Sequence, residues 1–415
     1  MFTSSPSLQK TSAGHEYELI DLTGDAPRWV DADVCGSDSM KSERLTRKTH
    51  LKRLHGRDLN RDAAHPHVYD LTHSTGDAVT LLSGPGVAPS VRMMPCFWPL
   101  AAILAEADQC DIDGVQERPF AFQTDRDVLT WCAMMAGESP LVRALMLDAE
   151  DHGWSVGLDH LGREGYYIDV AERLILIDRF GMNVDALGRS AFFRNALLTT
   201  FIRALRDVWH ENRLDGSEED FAPDQYLMLE RVRAADCDTV TILAGWELRG
   251  AGFAEIWRHI LGSDEGDMAT IFTRFLERDP GALFNGAVLA YTFRQWYADT
   301  ARVDASDHET LEVLDDVFLN DDITPSFGAD KVTPAVIEGL AILPDGTAYL
   351  SGLGDGILKD PFFAGLSDPI NQTHLFHIMY DMEVVMVNNV PFRDADLARL
   401  IFPEGDLVRP ATPRG

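Results

Sequence analysis

The chain has 415 residues, 45% of them hydrophobic, and a formal net charge of -31. That length holds one large domain or two ordinary ones with sizeable cores. The negative charge disfavours nucleic acid and anionic membrane as general partners.

No apolar run reaches the roughly 18 residues that a membrane-crossing helix needs, so no membrane partner is expected. The opening Met-Phe-Thr-Ser-Ser-Pro-Ser lacks the charged-then-apolar layout of a secretory leader, and a cytoplasmic location is expected. Cysteines stand at 35, 96, 110, 132 and 237, odd in number and without a Cys-x-x-Cys pair. Disulfide frameworks and zinc knuckles are therefore disfavoured.

Residues 1–90 are rich in Ser, Thr, Asp, Gly and His and read as a poorly ordered extension. Within it, residues 41–62 hold Lys41, Arg44, Arg47, Lys48, Lys52, Arg53, Arg57 and Arg61 against Glu43, Asp58 and Asp62. Such a basic arm binds nucleic acid, docks on the acidic body, or stays solvated. It lacks aromatics for base stacking, so nucleic acid is the less favoured partner. Ser83-Gly84-Pro85-Gly86 and Pro89 close the extension as a linker.

Globular patterning starts at Pro95. Helices are expected over 98–107 and 127–135. Ser139 as a cap before Pro140 opens a third, which runs to about His152. Strands follow over 154–159, 166–170 and 174–178, the last two as a hairpin around Ala171-Glu172-Arg173. Two long helices come next, over 191–211 and 223–248, with apolar residues at helical spacing. Shorter helices are expected over 253–261, 268–276, 281–300 and 308–318. A hairpin is expected over 337–350 around Pro344-Asp345-Gly346, and a last apolar stretch over 374–387.

The long helices carry the chemistry. The first contains Arg203-Ala204-Leu205-Arg206-Asp207-Val208-Trp209-His210, and the second Arg233-Ala234-Ala235-Asp236-Cys237. Strand, hairpin, long helix, loop and second long helix is the layout of a zincin peptidase. There, two His at i and i+4 share a helical face and bind zinc. The Glu between them activates water, and a carboxylate of the second helix completes the shell. The chain resembles a bacterial family of uncharacterised proteins labelled as metallopeptidases. That family's first helix reads His-Glu-Leu-Arg-His-x-Trp-Gln and its second Arg-Glu-Ala-Asp-Ala. Agreement extends to Ser139-Pro140, Gly153-Trp154, the strand 174–178 and Phe293-Arg294-Gln295-Trp296-Tyr297-Ala298-Asp299, over roughly residues 130–315.

The departures fall on the chemical positions. The resemblance sets Arg203 and Asp207 where the two His belong, Ala204 at the general base and Ala234 at the third ligand. Arginine has no lone pair for zinc, and alanine neither ligates nor moves a proton. Zinc is what the resemblance implies for the family, yet its ligands are missing here and no cofactor is expected. Arg203 and Asp207 lie four apart and can pair. The guanidinium would then fill the former metal volume, held by Asp207 with help from Asp236 or Asp238. Arg206, Trp209 and Arg233 would line the retained cleft.

Rival readings stay open. Asp207, His210 and Glu211 with Asp236 and Asp238 could hold manganese or magnesium. His374 and His377, with Asp381 and Glu383 nearby, are a weaker pair. Asp355-Gly356 with Asp360 lacks the remaining ligands of a calcium loop, and no nucleophile elbow occurs. The expected fold is α+β and mostly helical, with a zincin-like body over 91–320 and a small C-terminal α/β extension over 321–415. The expected function is that of a catalytically degenerate metallopeptidase relative that binds peptide or protein. The alternatives are a metal-dependent hydrolase with non-standard ligands and a nucleic-acid-associated protein acting through residues 41–62.

Overall fold

The computed structural model describes residues 96–109, 121–161, 164–214, 221–320 and 330–383, together with short strands outside those spans. Strands β1 (Gln9–Lys10) and β2 (Glu16–Tyr17) pair with each other. In the basic stretch, Arg53–Arg57 forms strand β3. The rest of residues 41–62 lies outside the described residues, as do Cys35, Cys110 and the linker at 83–89.

The body is α+β and mostly helical, as expected. It opens with β4 (Phe97–Pro99) and α1 (Leu100–Ala107), the strand taking the start of the expected helix. Helix α2 (Asp125–Ala136) starts from a full capping box between Thr124 and Asp127. Helix α3 (Pro140–Asp151) starts as its sequence predicts. Ser139 Oγ accepts from Val142 N with Pro140 behind it, and Ser139 also donates to Glu247 at 2.5 Å.

Strands β5 (Ser155–Asp159), β6 (Glu164–Asp169) and β7 (Leu174–Asp178) follow. The sheet order is β3-β6-β7-β5-β4. The β6–β7 hairpin is antiparallel, whereas β5 and β7 are parallel. β3 covers β6, Arg53 opposite Ile168 and Arg57 opposite Glu164, so β6 is an inner strand. Gly157 sits where a Cβ would come within 2.6 Å of Cys96 O, so a bulkier residue would push β4 away.

After α4 (Val184–Arg189), the two long helices are α5 (Ala191–Leu214) and α6 (Pro223–Gly250). Pro223 occupies the first turn of α6, where its missing N–H costs nothing. α6 is the central helix. It is buried on nearly every side against α5, α7 (Ala254–Leu261), α9 (Ala287–Trp296) and α10 (Thr300–Asn320). Phe201, Leu205 and Val208 of α5 share one core with Val232 and Val240 of α6 and with Ile175 and Ile177 of β7. A helix buried all round yet carrying Glu230, Arg231, Arg233, Asp236 and Asp238 must pair those charges internally.

Two local expectations are corrected. The helix expected over 281–300 is broken. Helix α8 (Gly266–Arg278) and a 3-10 turn at Pro280–Leu283 precede Gly286, which adopts a left-handed φ of 76° and starts α9. α9 stops at Trp296, and Asp299 Oδ1 then accepts from Ala301 N, so α10 begins at Thr300 instead of 308. The hairpin expected over 337–350 is instead helix α11 (Pro334–Leu340), capped by Thr333, and a turn joined by one bridge, Ile342 to Ala348. Gly346, at φ 88°, serves the expected turn.

Helices α12 (Gly354–Lys359), α13 (Pro361–Ala364) and α14 (Pro369–Glu383) follow. The stretch over 374–387 is thus mostly the end of α14, with β8 (Val385–Val387) after it. β8 pairs with β9 (Val390–Phe392) and β10 (Leu407–Val408). Ile337, Leu340, Leu343, Tyr349 and Ile357 belong to the same core as α5 and α6. The packed body therefore continues past 320, because α11 and the turn after it lie on α6.

Candidate functional site

Helices α5 and α6 place their charged residues face to face. Arg203 pairs with Asp238, Arg206 with Asp236 and Asp207 with Arg233. As position rises along α5 the partner's position falls along α6, which is the register of antiparallel helices. Each pair is completed from elsewhere in the fold.

Arg206 is fully buried. It grips both oxygens of Asp236, Nε to Oδ2 at 2.6 Å and Nη2 to Oδ1 at 3.2 Å. Its remaining donors hold the carbonyls of Leu340 at 2.8 Å and Ile342 at 3.1 Å. Asp236 also accepts from Tyr349 Oη at 2.5 Å and meets His210 Nε2 at 2.8 Å. Burial disfavours the Asp236 charge, but Arg206 and His210 outweigh it and bring the pKa down to about 2. Asp236 is therefore an acceptor, and His210 Nε2 donates to it. Burial likewise works against the Arg206 charge, and Asp236 more than offsets it, so the guanidinium stays protonated.

Asp207 accepts from Arg233 Nη2 at 2.6 Å and from Tyr166 Oη of β6 at 3.4 Å. Arg233 Nη2 also reaches Glu211 Oε1 at 2.5 Å. Arg203 is partly exposed, at 30%. It contacts Asp238 Oδ1, with Glu265 Oε1 at 3.5 Å, and Trp296 Nε1 donates to Asp238 Oδ2 at 2.9 Å. Arg203 is thus held by Asp238 and Glu265, in place of the expected pairing with Asp207, which Arg233 engages instead.

Ala204 is buried, and Ala234 packs against the core. Of the residues expected to line a cleft, Arg206 and Arg233 are buried ion-pair partners. Trp209 is 7% exposed, with the Arg213 guanidinium 3.0 Å above its ring.

The structure gathers Asp207 and His210 with Cys237, which was not among the candidate ligands. One potential ligand atom from each lies within 4.8 Å of the others, and all three residues are buried. Burial, with Asp207 and Asp236 nearby, pushes the Cys237 thiol well above its usual pKa. A buried neutral thiol is no nucleophile, although His210 and Asp236 stand beside it. Asp236 and Asp238 act as partners of the arginines and His210.

The other candidates are scattered. His374 reaches Asp315 of α10 at 3.7 Å, and His377 is exposed. The side chains of Asp381 and Glu383 lie outside the described residues. Asp355 pairs with Lys359, and Asp360 caps α13. Tyr166, Glu265, Trp296 and Tyr349 join the site from distant parts of the chain. Only Trp296 had a sequence signal, within the stretch shared with the resembling family.

Residues 190–351 match the family model described as "Putative metallopeptidase family (DUF6782)". The matched span holds α5, α6 and the turn that ends at Tyr349. No curated protein and no solved structure matches the chain.

A zinc centre of the zincin kind does not fit the residues at the corresponding positions. Arg203 brings a guanidinium that is already ion-paired, and Ala204 and Ala234 bring no donor.

Proposed function

We propose that this protein is a non-hydrolytic relative of the metallopeptidases, with a zincin-like helix pair, that works by binding a peptide or protein. The observation that carries the reading is the exchange of charge partners between α5 and α6. Arg203 is held by Asp238, and Asp207 is held by Arg233. Those are the positions where the resembling family has its two His. A fixed guanidinium supplies positive charge but offers no open coordination position and no acidified water.

The missing base agrees with this. Ala204 stands where a carboxylate would take the proton from water, and it is buried in the core. Water activation also needs access. Asp207, His210 and Asp236 are each no more than 1% exposed, so a substrate chain does not reach them in this conformation.

The test is a peptide-library digest of the purified protein, with zinc added and with chelator, beside binding of the same peptides read by fluorescence anisotropy. The expected result is no metal-dependent cleavage and saturable binding of a subset. Chelator-sensitive cleavage overturns the non-hydrolytic reading, and absence of any saturable peptide overturns the binding role.

A further inference from the structure

We infer that Asp207, His210 and Cys237 form a buried zinc site that braces α5 against α6, distinct from the catalytic zinc of a peptidase. Three observations point there.

The first is geometry. His210 Nδ1 lies 3.9 Å from Asp207 Oδ1 and 4.0 Å from Cys237 Sγ. Zinc bond lengths of about 2.0 Å to oxygen and nitrogen and about 2.3 Å to sulfur separate tetrahedral ligands by roughly 3.3–3.6 Å. The two separations exceed that range by a few tenths of an ångström.

The second is orientation. His210 Nε2 meets Asp236 Oδ2 at 2.8 Å, and in the neutral ring that donates this bond the lone pair is on Nδ1. His210 is 1% exposed, with Nδ1 beside a carboxylate oxygen and 4.0 Å from the Cys237 thiol. A second-shell carboxylate on the far nitrogen is how proteins fix a metal-binding histidine. Asp207 is fixed in turn by Arg233 and Tyr166.

The third is chemistry. A thiol with an imidazole and one carboxylate suits a borderline-soft ion, and magnesium or calcium would take oxygen donors only.

This site asks for no general base, so it stands whether or not the chain hydrolyses peptides. The experiment is metal analysis of the full chain after chelation and re-exposure to zinc, then the same with cobalt. Wild type should hold about one equivalent and, with cobalt, show a sulfur-to-metal charge-transfer band. Cys237→Ser and His210→Ala should fall to background, while Cys132→Ser, whose thiol is buried elsewhere, keeps the metal.

Zinc at background in wild type, zinc retained in both site variants, or cobalt bound without the sulfur band overturns the site. If the variants do not fold, wild type alone decides, by its stoichiometry, its cobalt spectrum and a fall in melting temperature on chelation. Hydrolysis assayed on the same zinc-loaded sample separates the two proposals. Zinc without cleavage keeps both, and cleavage lost with Cys237→Ser keeps the site but ends the non-hydrolytic reading. Neither zinc nor cleavage ends the site alone.

Discussion

On one side of α6, Arg231 grips Asp307 of α10 with Nε at 2.5 Å and Nη2 at 2.7 Å. Its remaining nitrogen pins the carbonyls of Phe363 and Gly365 at 3.2 and 3.1 Å. On the other side, Arg206 grips Asp236 and pins the carbonyls of Leu340 and Ile342. The mechanical device is the same: a buried bidentate pair whose spare donors tie down a later segment. The surroundings differ. Among the described residues Asp307 is balanced by one arginine, whereas Asp236 also carries His210 and Tyr349 and lies beside two further Arg–carboxylate pairs. A pair that only fastens a fold needs one cation for one anion. The crowding around Asp236 exceeds that need.

The largest effect that separates the two sides comes from replacing whole pairs. Removing one partner of a buried pair strands the other charge and costs about 3–5 kcal/mol, whereas apolar replacement of both is often neutral. Arg231→Met and Arg206→Met should each cost that much in denaturant titrations. Arg231→Met with Asp307→Leu should recover most of the loss. Arg206→Met with Asp236→Leu should not, because His210 and Tyr349 lose their acceptor. Equal recovery on both sides would show that the α5–α6 network is ordinary fastening.

The next effect is the slope of stability with pH. Burial raises the Asp307 carboxyl above its usual 3.8 despite Arg231. The folded state then holds the proton more tightly, so this contribution is full below 3.8 and is lost as pH rises through the folded value. Asp236 runs the other way. Its folded value of about 2 lies below 3.8, so its contribution is present above 3.8 and lost as pH falls toward 2. That difference is worth roughly 2 kcal/mol. In chelated protein, Asp236→Asn should flatten the loss below 3.8, while Asp307→Asn should remove a gain on acidifying toward it. Equilibrium unfolding across that range reads both, and two slopes of one sign would break the contrast.

The parts of the fold legible in the sequence are those written locally. Ser139-Pro140 is a cap and a first-turn proline, and it starts α3 where it should. Ile175 and Ile177 mark β7 by their β-branching, and their apolar side chains are fully buried in the core. Thr333-Pro334 is the same signal as Ser139-Pro140, yet Pro344-Asp345-Gly346 drew attention to a turn and suggested strands around it. The Gly286 break was hidden because a glycine inside a helical pattern does not reveal a left-handed φ.

At the site, spacing along each helix was readable, but partner choice across helices was not. Arg203 could reach Asp207 along its own helix, and the α5–α6 register gives it Asp238 instead. Glu265 and Tyr349 come from segments packed on those helices, and no local pattern announces such contacts. Cys237 carried no motif, and only its approach to His210 marks it.

The smallest effect tests the edge of the network. Arg203 is 30% exposed, so water can screen what its removal leaves behind. Its partner Asp238 is buried but keeps the Trp296 Nε1 bond at 2.9 Å. Arg203→Ala should therefore cost about 1 kcal/mol or little more, nearer a surface pair than a buried one. Arg233→Met should cost several times as much, because Asp207 and Glu211 both lose their arginine. The two variants sit at equivalent stations of one antiparallel register, so their difference isolates depth. If Arg203→Ala proved as costly as Arg233→Met, the guanidinium would be acting as an interior cation, as tightly required as a metal ion.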